Sequence, residues 1–175
     1  MPMTLRSGAP LRSSGRRRLC LAAAAWAGAA GARASDAAAL PKLPDLDGRP
    51  IDLADVARRH RALVVNFWAT WCGPCITELP EFEAVYRRLH DQGLAMVGVN
   101  LGEKAEKAVP FARKLAVSFP MLMDPDGTAR EGYAVFSGLP VTAVVDRKGR
   151  LRHRVAGPLT GEALRALVEP LLRES

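Results

Sequence analysis

Residues 66–75 read Asn66-Phe67-Trp68-Ala69-Thr70-Trp71-Cys72-Gly73-Pro74-Cys75, and the segments on either side decide what this run means. Upstream, Ala62 to Phe67 (ALVVNF) is an apolar run of strand length, the pattern of a strand buried on both faces. Downstream, Ile76, Leu79, Phe82, Val85 or Tyr86, and Leu89 recur at helical spacing, which predicts one helix over 73–91. The cysteine pair therefore sits where a buried strand hands over to an amphipathic helix. At a helix N-terminus, free backbone N–H groups and the macrodipole favour a thiolate. Cys72, at the start, is expected to be exposed and lowered in pKa. Cys75, one turn in, is expected to be shielded and able to attack a mixed disulfide. Gly73 and Pro74 bring the sulfurs close and still let the helix begin, because proline is tolerated in the first turn.

Working outward, the chain alternates. A strand pair is expected around the turn Asp47-Gly48, and a short helix over 52–59. Leu94 to Leu101 is a second apolar, β-branched run, and 103–116 is charged and alanine-rich, predicting a helix that Pro110 must kink or restart. Met121 to Met123 is a short strand, 124–127 a turn, and 128–135 a short helix. Val141 to Val145 and Leu151 to Val155, separated by Asp146-Arg147-Lys148-Gly149-Arg150, read as an antiparallel hairpin. Thr160 can cap a last helix whose face is Leu164, Leu167, Val168, Leu171 and Leu172. Strands separated by helices imply a parallel sheet, and the closing hairpin makes it mixed: an α/β fold with a central mixed β-sheet flanked by helices.

The chain has 175 residues and a formal charge of +7, which would ordinarily raise nucleic acid as a partner. Its location argues otherwise. Residues 1–34 hold six arginines and no acid, and the remainder holds 19 basic against 18 acidic residues. A basic stretch ends at Arg16-Arg17-Arg18, an uncharged alanine-rich run follows from Leu19 to Ala32, and Ala32-Arg33-Ala34 is a small-x-small site. That is the layout of a signal peptide over 1–34, followed by a linker over 35–42 and one domain over 43–175. An uncleaved N-terminal anchor and twin-arginine export remain as alternatives. Either way a periplasmic, or otherwise extracytoplasmic, location is implied. Cys20 falls in the leader, so the folded part has only Cys72 and Cys75. Bridging such close neighbours constrains the unfolded chain little, so the pair is read as chemical rather than as a staple. Zinc wants about four ligands, and His60, His90 and His153 show no ligand spacing, so no metal and no cofactor are expected.

The quoted run resembles the active-site segment of thioredoxin-fold proteins, and more closely that of exported TlpA/ResA/CcmG-like thiol–disulfide oxidoreductases. Pro80, five after Cys75, lies where thioredoxins kink this helix. Gly138-Leu139-Pro140-Val141-Thr142 is similar to the family's cis-proline segment, Val144 to Gly149 to its hairpin, and Glu103 to Met123 to the central insertion of TlpA/ResA-like members. The resemblance implies a thioredoxin fold with an N-terminal strand extension. It implies that Cys72 is the nucleophile, that Cys75 resolves, that the two form a redox-active disulfide, and that Pro140, if cis, sits against the sulfurs with the Leu139 backbone pairing to a partner peptide. Trp71, Gly73 and Pro74 would form the active-site loop, and Trp68, with Trp71, an apolar collar that contacts partners or simply packs.

One departure stands out. Thioredoxin has a buried aspartate six residues before its first cysteine, and this chain has Asn66 there. An amide cannot take the resolving thiol's proton. Glu78, three after Cys75, is the substitute that would deprotonate Cys75 or tune Cys72; a solvent-facing glutamate favoured by the helix N-terminus is the plainer alternative.

The function implied is reduction of disulfides in client proteins, by a monomer that binds no nucleic acid. The clients would be apocytochrome c, or proteins of copper-site assembly. A membrane thiol-transfer protein would supply electrons. The Gly-Pro dipeptide resembles that of thioredoxin, with a potential of about −270 mV, rather than a strong oxidant near −120 mV. A dithiol oxidant or isomerase and a thiol-based copper chaperone are the alternatives. A peroxidase is disfavoured, because its reactive cysteine usually stands without a C-x-x-C partner.

Overall fold

The computed structural model describes residues 40–133 and 138–174. The leader expected over 1–34 and residues 35–39 of the linker lie outside the described residues.

The chain runs β1 (Lys42–Pro44), β2 (Pro50–Asp52), α1 (Leu53–Arg59), β3 (Ala62–Trp68), α2 (Gly73–Leu89), β4 (Leu94–Leu101), α3 (Ala105–Ala112), β5 (Met121–Asp124), β6 (Val141–Asp146), β7 (Leu151–Ala156) and α4 (Gly161–Arg173). β1 and β2 form the expected N-terminal hairpin, and the other strands form one sheet in the order β5-β4-β3-β6-β7. β3, β4 and β5 are parallel, whereas β6 and β7 are antiparallel to their neighbours. This is the thioredoxin-like mixed sheet.

β3 is the central strand, and every residue of it is buried. Its side chains alternate between two cores, as a pleated strand requires. Ala62, Val64 and Trp68 join α2 and α4 on one face, while Leu63, Val65 and Phe67 join α1 and Leu43 of the hairpin on the other. Asn66 has the parity of the α2 face. Gly98 of β4 pairs with Asn66, and a Cβ there would lie 2.5 Å from Met121 Sδ and 3.4 Å from Trp68 Nε1. Glycine at this position makes room for the Met121 side chain; the indole lies at ordinary contact distance.

The helix starts are capped by the residues the sequence offers. Asp52 Oδ1 accepts the Ala54 and Asp55 N–H groups (2.9 and 3.1 Å), and Thr160 Oγ1 accepts that of Ala163 (3.2 Å). α2 continues through Pro80, whose missing N–H removes one helical bond without ending the helix.

Two expectations are corrected. The helix expected over 103–116 forms only as Ala105–Ala112. Glu103 is drawn off into a loop contact, Pro110 supplies no N–H, and the chain then tightens into turns in which Lys114 and Leu115 N–H groups bond Phe111 and Ala112 carbonyls. The helix expected over 128–135 is absent from its described part, where 128–133 form turns. The Asp124 carboxylate accepts the Thr128 N–H, the Thr128 hydroxyl and the Ala129 N–H at 2.8–3.0 Å. With Gly127 at φ 68°, that turn closes on itself instead of launching a helix.

Candidate active site

β3 ends at Trp68, the loop 69–71 follows, and Cys72 is the N-cap of α2. Cys72 and Cys75 are joined as a disulfide with Cα atoms 5.3 Å apart. Cys72 Sγ also accepts the backbone N–H of Cys75 at 3.3 Å, so this sulfur occupies the place of a capping oxygen. Gly73 and Pro74 fill the first turn, where their lack of a side chain and of an N–H does no harm.

The expected contrast in exposure is corrected. Cys75 is fully buried, but Cys72 is only 3% exposed. Its bond to the buried Cys75 holds its sulfur in, and both belong to the α2-side core. The tryptophans divide sharply. Trp68 is fully buried in that core and stacks on Phe111 with ring centroids 6.1 Å apart. A partner cannot touch it, so it is a platform and not a docking residue. Trp71 is 65% exposed, the exposed large hydrophobic side chain among the described residues.

The Leu139–Pro140 peptide is cis. Pro140 is buried, and its carbonyl accepts the Gly157 N–H at 2.9 Å. Leu139 is half-buried and packs against the core that holds both cysteines.

Glu78 does not face solvent. It is 4% exposed, one turn beyond Cys75 on α2. Its Oε1 accepts Asn66 Nδ2 at 2.8 Å, and its Oε2 accepts the Leu159 N–H at 3.1 Å. Asn66 Nδ2 also donates to Thr142 Oγ1 (3.2 Å) on the opposite neighbouring strand. Burial pushes the Glu78 carboxyl above its usual range; the two hydrogen bonds oppose this, and the Glu81 charge adds to it. Glu78 lines a cleft of about 410 Å³ with Pro74, Thr77, Glu81, Leu159 and Thr160. Glu81, which also lines it, is held by Gly161, whose N–H donates to Glu81 Oε2 at 2.6 Å and whose missing Cβ would lie 3.1 Å from Glu81 Cβ. Asn66 and Glu78 were thus singled out separately in the sequence, and the fold joins them.

A second buried carboxylate was not anticipated. Glu103, at the end of β4, is 6% exposed. Its Oε2 accepts the Thr70 N–H (2.7 Å) and Asn100 Nδ2 (2.9 Å), and its Oε1 accepts the Thr70 hydroxyl (2.7 Å) and meets Lys107 Nζ at 2.6 Å. Burial alone would raise its pKa. The bonds from Lys107, the Thr70 N–H, Asn100 and the Thr70 hydroxyl outweigh burial and hold the carboxyl at about 2. In the sequence it looked like the first residue of a charged helix. Only the parallel β3–β4 pairing, which ends both strands at the same level, brings it to Thr70.

The histidines stay apart from this site: His60 and His90 bond the helical carbonyls of Val56 and Tyr86. No group of three His, Cys, Asp or Glu side chains among the described residues forms a metal site.

The sequence model of the AhpC/TSA family matches residues 34–154. The chain is 32% identical over 129 residues to the thiol-disulfide oxidoreductase ResA of Geobacillus thermodenitrificans, covering 74% of this chain and 72% of that protein. It is 35% identical over 124 residues to the thiol:disulfide interchange protein HelX of Rhodobacter capsulatus, covering 70% and 67%. A solved DsbE-type thiol:disulfide interchange protein of Chlorobium tepidum superposes with a TM-score of 0.71 at 29% identity, covering 78% of this chain and 96% of that one.

Proposed function

Because the chain belongs to the AhpC/TSA family and is a thiol–disulfide oxidoreductase of the ResA type with Cys72 and Cys75 as its redox pair, we propose that it works outside the cytoplasm as a reductant of client disulfides, in cytochrome c maturation or copper-site assembly. The observation that carries the direction of attack is the asymmetry of the pair. Both sulfurs are buried in the disulfide form, but only Cys72 Sγ sits at the N-cap of α2, where it takes the Cys75 N–H. A thiolate is favoured at that first position by the free N–H groups and dipole of the helix.

In the reduced protein, the Cys72 thiolate attacks one sulfur of a client disulfide. The client's other sulfur leaves as a thiolate and takes up a proton. Cys75 then loses its proton and attacks Cys72 Sγ, expelling the second client thiolate and regenerating the Cys72–Cys75 bond. Trp71, Pro74 and Leu139 form the rim that a client meets. A membrane thiol-transfer protein restores the dithiol. Export follows from the arginine-rich leader and its small-x-small site.

Glu78 is the proton acceptor for Cys75 in this scheme. It is buried, one turn away on the same helix, and it borders a cleft through which a proton can pass to water. Its raised pKa brings it nearer that of a thiol, which suits proton transfer. Glu78→Gln is expected to slow turnover at neutral pH by about tenfold, because an unaided thiol of pKa about 8.5 still supplies a few per cent of thiolate at pH 7. Turnover of the parent protein falls as pH drops through the Glu78 pKa, and in Glu78→Gln that limb disappears. A pH–rate series on insulin-disulfide reduction checks both.

The proposal as a whole is tested by the Cys75→Ser protein, expressed in its own compartment. Mixed disulfides on Cys72 are expected with proteins bearing paired cysteines, identified by mass spectrometry. Absence of any trapped protein overturns the reading. Equilibration with glutathione tests direction, a potential near that of thioredoxin being expected.

A further inference from the structure

Reduction changes what holds Cys72 in place. In the disulfide form a covalent bond ties it to Cys75 and so to α2. When a donor dithiol reduces that bond, two thiols form as the donor becomes a disulfide. The loop 69–71, which carries Cys72, then depends on non-covalent ties. Among the described residues, the side chain that bonds this loop is Glu103, through the Thr70 N–H and the Thr70 hydroxyl, both at 2.7 Å. Glu103 is anchored from two other elements, by Asn100 of β4 and Lys107 of α3, and it is 6% exposed. Neither proposed chemical step uses it.

We propose that Glu103 is the positioning residue of the reduced active site, clamping Thr70 so that the Cys72 sulfur stays at the N-terminus of α2, where the Cys75 N–H and the helix dipole stabilise its thiolate. The inference rests on Cys72 being the attacking thiol. Glu103 touches neither sulfur; it acts through the backbone of Thr70 and Trp71. The ionised carboxylate next to Lys107 brings little net charge to the site, so its effect is geometric.

A clamp and a bare charge predict opposite results. Removing a nearby negative charge alone lowers the pKa of Cys72. Releasing the loop raises it, because the sulfur drifts from the helix N–H groups. Iodoacetamide alkylation of the reduced full chain against pH reads this directly, with peptide mapping to show which cysteine reacts. Glu103→Gln and Thr70→Val are each expected to raise the midpoint by about 0.5 pH unit and to slow alkylation at pH 7 about threefold. Thr70→Ser, which keeps the hydroxyl, retains the parent profile. Unchanged midpoints in Glu103→Gln and Thr70→Val, with Cys72 still the reacting thiol, overturn the inference. So does a lowered midpoint in Glu103→Gln beside an unchanged one in Thr70→Val. Should Glu103→Gln fold poorly, the Thr70→Val and Thr70→Ser pair decides alone. Alkylation falling first on Cys75 overturns the assignment of Cys72, a separate failure.

Discussion

Cys72→Ser is expected to abolish disulfide reduction, lowering the rate by about 10³-fold or more. A serine hydroxyl is not ionised near neutral pH, and a helix N-terminus contributes only about 0.3–1 kcal/mol toward an anion, far too little to make an alkoxide. The loss will be chemical and not structural. Cys72 is the N-cap of α2, with its sulfur accepting the Cys75 N–H at 3.3 Å, and serine is among the better capping residues. Helix content by circular dichroism, compared under reducing conditions so that both chains lack the disulfide, should therefore match. The Cys72→Ser/Cys75→Ser double variant should be no slower than Cys72→Ser, because two groups that act in one sequence do not add. Insulin reduction with a chemical thiol donor measures all three. Residual turnover in Cys72→Ser within tenfold of the parent would place the attack on Cys75.

Most of the frame that presents Cys72 was legible beforehand, and for local reasons. The run from Ala62 to Phe67 is apolar at both parities but for Asn66, and it is short and β-branched at Val64 and Val65, which suits a strand buried on both faces. The spacing from Ile76 to Leu89 admits only one helical face. Errors arose where a long-range polar contact decided the outcome. Glu103 reads as helix-forming in its own neighbourhood, yet its carboxylate is committed to Thr70, 33 residues earlier, and the helix starts after it. A short helix is expected over 128–135, yet the Asp124 carboxylate closes the turn first. Trp68 shows how parity could have been used further. It shares the even positions of β3 with Val64 and Asn66, so its burial on the α2 face, and the meeting of Asn66 with Glu78, both follow from the side chains alternating along one strand.

The donors that surround them give the two buried acids near the cysteines their different characters. Glu78 meets an amide and one backbone N–H, too few donors to offset burial, and its carboxyl is raised. Glu103 meets four donors, one of them a lysine, and its carboxyl is lowered. The raised carboxyl suits the proton transfer proposed for Glu78, and the lowered one suits the clamp proposed for Glu103.

The second carboxylate also has a stability consequence that can be measured by itself. Holding Glu103 at about 2, against 4.5 for the free side chain, corresponds to at most about 3 kcal/mol of folding stability while the group is ionised, and to less once solvent screening of the Lys107 pair is counted. The sign is that of a depressed acid. The contribution is fully present above pH 4.5 and is lost as pH falls toward 2. Glu103→Gln should therefore unfold more easily at pH 7, by about 2 kcal/mol with about 3 as the ceiling. The shortfall arises because glutamine keeps some acceptor capacity. Its oxygen can replace Oε2 toward the Thr70 N–H and Asn100 only as a weaker, uncharged acceptor, and its amide places a donor where Oε1 accepted the Thr70 hydroxyl, so the hold on Thr70 is loosened. What it cannot keep is Lys107, whose side chain is 63% exposed and can turn to water. Urea unfolding of parent and variant at pH 7 and at pH 3 separates these terms. The difference between the two chains should shrink markedly at the lower pH, because at pH 3 the unfolded parent has already taken up the proton while the folded one still holds the charge, so part of the linkage is lost. A difference that stays constant between the two pH values would mean that packing, and not the ionised carboxylate, makes the clamp.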